Sequence, residues 1–254
     1  MGSLQNIGAL TIKQLLQNPT GKFSAYMARR DKIIKDLDDR YRLLMSKVQK
    51  VNFKIYKVKK DYLFHFQIPS EEFPNNLYYD VCVLFCWENE VKDDKTISEY
   101  KLKLFSNSPN FMFTYTYALE QNDMIIPFLK SKCSRLALTQ APTIRNPIEV
   151  YGFEKSIYFA CRYIMDNNLT TIFDLDNNRH VYSETKLKSV IMTQQNKYEE
   201  NKNIKKQIAA GKKTAKQASK TKPMTNSKTV STFKKQKTSA VSKSKGVKII
   251  KRKK

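Results

Sequence analysis

Residues 96–119 read TISEYKLKLFSNSPNFMFTYTYAL, and the fold turns on how this stretch is read. Tyr100, Leu102 and Leu104 fall on one side of a first alternating run. Phe111, Phe113, Tyr115, Tyr117 and Leu119 fall on one side of a second. Between them Ser106, Asn107, Ser108, Pro109 and Asn110 form a cluster of turn formers. Alternation of period two with aromatic enrichment predicts two strands around a polar break. The connection is short enough for them to pair as a hairpin. A bare hairpin is marginal in water, so a face of five large apolar side chains needs cover, and helices are the source at hand.

Upstream, residues 77–87, LYYDVCVLFCW, are almost continuously apolar, which predicts a central strand buried on both faces. Residues 53–58 and 62–68 predict two more strands, with Lys59, Lys60 and Asp61 as a tight link. In the second of these, Tyr62, Phe64, Phe66 and Ile68 alternate with Leu63, His65 and Gln67. Pro69 and Pro74 bracket a loop, and residues 88–95 form a charged one. Nearer the start, Thr11 and Gln14 have the spacing of a capping box opening a short helix to about Gln17. Phe23, Met27, Ile34, Leu37, Tyr41, Leu44 and Val48 make an apolar stripe along a long helix over 22–48, with Arg30 in its one gap. That gap breaks the clean heptads of a coiled coil, so the helix is expected to pack on its own sheet.

Downstream, residues 123–129 are a short apolar segment and residues 141–147 are irregular, with two prolines. Phe153, Ile157, Ala160, Cys161 and Ile164 predict a helix over 153–167. A loop over 167–179 then leads to a last helix over 183–210. Its apolar positions end at Leu187, Val190 and Ile191, after which it turns polar and projects. The expected fold is α+β: a mainly antiparallel sheet covered by helices, with a long N-terminal helix and a disordered basic C-terminal tail. Its parts are an N-terminal arm over 1–21, one domain over 22–200, and the end of the projecting helix with the tail over 201–254.

The chain of 254 residues is 41% hydrophobic, enough for one sizeable core, and its formal charge is +24. The charge is segregated. Residues 201–254 hold 18 Lys and one Arg with no acidic residue, which leaves 28 basic against 23 acidic residues in 1–200. The tail from Gly211 has one aromatic, Phe233, and buries too little apolar surface to offset its ordering entropy. A polycation binds a polyanion by releasing condensed counterions, and lysine on phosphate reads no sequence. The candidate contacts are Lys205, Lys206, Lys212, Lys213, Lys234, Lys235, Lys237, Lys251, Arg252, Lys253 and Lys254. Acidic protein surfaces and anionic lipid would also answer to such a tail, and a purely solubilising tail is the bland alternative. The segment 247–252, VKIIKR, adds an apolar-basic terminus suited to docking on a partner.

Chemistry is harder to find. Cys82, Cys86, Cys133 and Cys161 sit in segments that read as buried, without a secretory signal before them, so free thiols in a reducing compartment are expected. No apolar run approaches the roughly 18–20 residues of a membrane span. Cys82 and Cys86 share a strand face, but no second pair at finger spacing completes a zinc site. Asp174, Asp176 and Asn178 open like a calcium loop, yet Arg179 stands where glycine is needed and Thr185 where glutamate is needed. His65, amid strand aromatics, reads as a satisfied core or face histidine. His180 is the other histidine. Asp36, Asp38 and Asp39 share a helix with Lys35, Arg40 and Arg42, as on a solvated ion-pair face. Neither a nucleophile elbow nor a phosphate-cradling loop is present, so no catalytic, metal or cofactor residue is assigned.

Residues 104–164 resemble uncharacterised virion structural proteins of tailed bacteriophages. The likeness is carried by FSNSPNFMFTY at 105–115, Arg145-Asn146-Pro147, and YGFEKSIYFA at 151–160, about a quarter of the chain. It implies a structural role in a particle or near packaged DNA, and brings no site residues with it. The expected function is thus a non-enzymatic structural or assembly component of a phage particle, in the virion or host cytoplasm. Its partners would be DNA through the tail, other virion proteins and a possible second copy, without a membrane. The alternative is a free nucleic-acid-binding protein whose body stacks single-stranded bases on surface aromatics such as Tyr78, Tyr79 or Tyr115.

Overall fold

A computed structural model describes residues 10–17, 30–48, 51–87, 95–143 and 154–218, with side chains up to Ala210. The chain falls into two units, Met1–Gly211 and Lys212–Lys254. Phe23 and Met27 of the helix stripe, most of the loop over 88–95, residues 144–153 and the tail beyond Ala218 lie outside the described residues.

Four strands, β1 (Asn52–Val58), β2 (Asp61–Pro69), β3 (Tyr78–Cys86) and β4 (Lys101–Ser106), form one antiparallel sheet in the order β1-β2-β3-β4. All four are expected from the sequence, β1, β2 and β4 from alternation and β3 from its continuous apolar run, and Lys59 takes the left-handed conformation (φ 59°) that a two-residue turn needs. The central strand β3 is buried on both faces, as its continuous apolar run requires.

Helices cover both sides. On one face Phe64, Phe66, Val83, Phe85, Leu102 and Leu104 meet α1 (Ile12–Gln17), α2 (Arg30–Lys47) and, later in the chain, α5 (Lys155–Asp166). The capping box of α1 forms: Gln14 N–H donates to Thr11 Oγ1 at 3.3 Å and Thr11 N–H to Gln14 Oε1 at 2.9 Å. Helix α2 buries Leu37, Tyr41 and Leu44 in this core, so its described stripe packs on its own chain. On the other face Leu63, Cys82, Leu84 and Phe105 meet Ile126, Leu129, Leu187 and Ile191. The architecture is α+β, with the sheet between two helical layers.

The expected second strand of the hairpin is not one. Phe111–Tyr115 is a π-helical turn running into α3 (Thr116–Gln121). Local bonds close it as helix: Ser108 Oγ accepts from Phe111 N–H at 3.1 Å, Thr116 Oγ1 donates to the Phe111 carbonyl at 3.1 Å, and Thr114 Oγ1 to Asn110 Oδ1 at 3.3 Å. Met112, Thr114, Thr116 and Ala118 are buried, whereas Phe113 is exposed and Tyr115 and Tyr117 are half-buried, the reverse of the expected facing. The edge of β4 that this strand would have paired is filled by other segments. Leu102 N–H donates to the Leu10 carbonyl, Leu104 N–H to the Met124 carbonyl, and Ile126 N–H to the Leu104 carbonyl.

After α3 come a 3-10 turn, Pro127–Lys132, and α4 (Arg135–Thr139). The loop expected over 167–179 contains α6 (Ile172–Asn178), whose Leu175 reaches the core. The last helix, expected unbroken over 183–210, is two: α7 (Glu184–Val190), capped by Ser183, and α8 (Gln194–Ala218). The break follows from burial of Ile191 and from Thr193 Oγ1, which accepts from Asn196 N–H at 3.1 Å and restarts the helix.

Candidate nucleic-acid interface

Helix α8 carries the first of the tail's lysines, and its root is buried polar structure. Gln194 is wholly buried. Its Nε2 donates to the Ser106 carbonyl at 3.1 Å and to Thr116 Oγ1 at 3.2 Å, while its Oε1 accepts from Ser134 N–H at 2.8 Å. One turn on, Lys197 is buried with its Nζ on Glu200 at 2.5 Å, and Tyr198 meets Phe113 edge-on at 5.3 Å between ring centroids. Asn201 Nδ2 donates to the Tyr79 hydroxyl at 3.1 Å, and Lys205 pairs with Glu72 at 2.8 Å.

Lys202, Lys205 and Lys206 are exposed. At about 100° per residue they share an arc of about 100° on the helix. Lys212 and Lys213 belong to the second unit, where the backbone remains helical to Ala218. Lys234, Lys235, Lys237, Lys251, Arg252, Lys253 and Lys254 lie outside the described residues. Of the body aromatics named for base stacking, Tyr78 is exposed, Tyr79 is buried and Tyr115 is half-buried. Tyr78 and Tyr79 are adjacent on β3 and point to opposite faces.

The turn at 106–108 is a polar node rather than a hairpin loop. Ser108 Oγ donates to Glu154 Oε1 at 3.0 Å, and Ser156 Oγ lies on Glu154 Oε2 and 3.0 Å from Ser106 Oγ. Glu154 also caps α5 by accepting from Ile157 N–H at 3.0 Å. Beside it, Asn107 clamps Asp80: its Nδ2 donates to Asp80 Oδ2 at 2.8 Å and its Oδ1 accepts from Asp80 N–H at 2.9 Å. The other carboxylate oxygen, Oδ1, faces His65 Nε2 at 2.9 Å. His65 is 6% exposed, so it is a core histidine with a buried partner. A carboxylate only accepts, which places the proton on Nε2 and leaves Nδ1 as the ring's remaining polar atom. Sequence pattern misses this pair, because it is the β2–β3 register that sets position 65 beside 80 and 82.

The remaining candidates find structural partners. Asp36 pairs with Arg40 one turn on, at 3.2 Å, but Asp38 reaches across to α5, accepting from the Tyr158 hydroxyl at 2.6 Å. Asp176 accepts from Lys57 Nζ at 2.8 Å and from the Tyr62 hydroxyl at 2.8 Å, so the would-be calcium loop is an ion-paired helix. Burial pushes the Cys82 and Cys161 thiols well up and Cys133 to about 12. None of the four cysteines is in a disulfide. Among the described residues no group of three or more His, Cys, Asp or Glu side chains could hold a metal ion, and no helix is long and apolar enough to cross a membrane.

Comparison of the chain with protein-family models, with curated proteins and with solved structures finds no match to any of them.

Proposed function

We propose that the chain is a non-enzymatic structural or assembly component of a phage particle, and that its lysine-rich C-terminal arm contacts DNA without sequence preference. The observation that carries this is the segregation of charge: 19 basic and no acidic residues over 201–254, against a nearly balanced body. Two features support it. The arm begins on a helix rooted in the body by Gln194, Asn201 and Lys205. Several titratable groups of the body, among them Asp38, Asp80, Glu154 and Asp176, are held in structural contacts. The likeness of residues 104–164 to virion proteins supports the particle.

The test is DNA binding across a salt series, for the full chain and for a truncation after Ala210. If half of the 19 cations engage phosphates, log K against log[salt] has a slope of about −8 for the full chain. The truncation keeps Lys202, Lys205 and Lys206, and its slope is no steeper than about −3. In the full chain, replacing Lys234, Lys235 and Lys237 by Gln flattens the slope by up to about 3. A truncation that keeps its affinity, with a shallow slope and a preference for single strands, overturns the arm and makes the body the reader.

A further inference from the structure

The two edges of the sheet are treated differently. On β4 the Leu102 N–H, both backbone groups of Leu104 and the Ser106 carbonyl, all facing outward, are met by Leu10, Met124, Ile126 and the Gln194 side chain. On β1 the two-residue turn fixes the parity: Val58 pairs with Asp61, so Lys54 and Tyr56 bond to β2 while Phe53 and Ile55 face outward. His180 N–H donates to the Ile55 carbonyl at 2.7 Å. Among the described residues nothing meets the Phe53 N–H, the Phe53 carbonyl or the Ile55 N–H.

A groove of about 900 Å³ runs along this open stretch, with Val51, Ile55 and Leu187 among its apolar walls. Lys54 on β1 and Lys186 on α7 line it, and among the described residues neither has an ion-pair partner. Asp174 is the only carboxylate among the described residues of the lining. His65 and His180 line it too.

We propose that an extended acidic segment of a partner protein adds to β1 as a fifth strand, its backbone pairing with Phe53 and Ile55 and its carboxylates meeting Lys54 and Lys186. Open strand edges bind extended chains through main-chain hydrogen bonds, and flanking side chains select among them. The charge argues against the other occupants. The chain's own C-terminus is basic, and a second copy would bring its Lys54 to the same edge. Residues 51–55 span roughly 17 Å, room for a segment of about five residues. No residue named for the arm lines the groove, so the test does not depend on DNA binding.

The arm itself is a polycation that attracts any acidic peptide, so the readout must belong to the groove. The chain has two histidines, both in the groove lining and none in the arm. Their ring NMR signals are followed on the full chain while a capped peptide of alternating Glu and Val is added. The expected result is saturable shifts of both rings, weakened about tenfold or more by joint Lys54→Glu and Lys186→Glu, and absent for the Lys–Val peptide. A Glu–Val peptide N-methylated at alternate residues keeps its charge and loses its strand edge, and it leaves both rings unmoved. Rings that stay still while the peptide binds, equal binding of the N-methylated peptide, or indifference to charge reversal each overturn the proposal. So does a dimer of the protein alone that shifts the same rings, which would fill the edge with a second copy.

Discussion

Gln194→Leu tests how the basic helix is rooted. The side chain is wholly buried and holds three groups: it accepts from Ser134 N–H, and donates to the Ser106 carbonyl and Thr116 Oγ1. Leucine nearly fills the same space, so the loss comes from stranded polar groups rather than from a cavity. Thr116 keeps its own bond to the Phe111 carbonyl and loses little. The Ser106 carbonyl faces away from β3 and has no other partner among the described residues, at about 1–3 kcal/mol for a buried group left unpaired. Ser134 N–H is only partly buried and adds about 1 kcal/mol. The sum is about 2–4 kcal/mol, read as a lower urea midpoint with an unchanged m-value, or as a Tm lowered by roughly 5–15 °C. Gln194→Glu sharpens the point. It can still accept from Ser134, but at neutral pH it turns a second acceptor towards the Ser106 carbonyl, and its loss exceeds that of leucine. A loss below about 0.5 kcal/mol for leucine, or a Glu variant as stable as the parent, refutes the staple.

The Lys57–Asp176 pair gives a pH window. Burial pushes the Asp176 carboxyl up, but hydrogen bonds from Lys57 and Tyr62 outweigh it and hold the group below the ordinary carboxylate range. The bond to Asp176 likewise holds the Lys57 ammonium above its ordinary value. The carboxylate's share of stability is therefore present above about pH 4 and lost as pH falls through its lowered pKa. Lysine's share is present below about pH 10 and lost as pH rises through its raised one. Both side chains are about a third exposed, so Asp176→Asn costs on the order of 1 kcal/mol at pH 7 by urea unfolding, and nothing measurable near pH 2. An equal cost at both pH values contradicts the assignment. Thiol labelling with Ellman's reagent checks burial: Cys82 and Cys161 react only at the rate of global unfolding, and half-buried Cys86 reacts first. Fast native labelling of Cys161 would contradict its place under the sheet.

What was legible in the sequence was whatever one segment decides alone. Thr11 and Gln14 cap each other within four residues, and β1, β2 and β3 declare themselves by alternation or by continuous apolarity. Residues 111–119 also alternate, yet their aromatics at 113, 115 and 117 lie on the wetter side of a helix. Hydroxyls at 108, 114 and 116 decide the conformation there, and a pattern of apolar residues does not register them. Helix α6 was illegible because IFDLDNN buries a single residue, Leu175, and the segment is held by contacts to β1. The break before α8 had a signal in Thr193, a capping residue three before Asn196, but a helical reading carried across it. The tail's charge was readable from composition. The groove was not, since His65 and His180 are brought together only where the chain returns to Tyr56 in a parallel bridge.

An open edge is a liability, because a row of free backbone groups will pair with any extended chain it meets. This fold shows how one is covered: β4 is bonded along its length by segments drawn from 10, 124–126 and 194. With β1 the closure stops at Ile55, whose carbonyl accepts from the His180 N–H. Lysine on an edge strand is a common guard against self-association, and Lys54 stands at the middle of the open stretch. In an antiparallel pairing of two copies over 51–55 the two Lys54 side chains would approach each other, with both Lys186 ammoniums nearby and a single Asp174 per copy in opposition. Like charges placed opposite one another destabilise a strand pair. A segment bearing carboxylates at those positions meets the reverse situation and relieves both lysines. The guard therefore works as a filter, turning away a second copy and the chain's own basic terminus while leaving the Phe53 backbone and the Ile55 N–H available to an acidic strand.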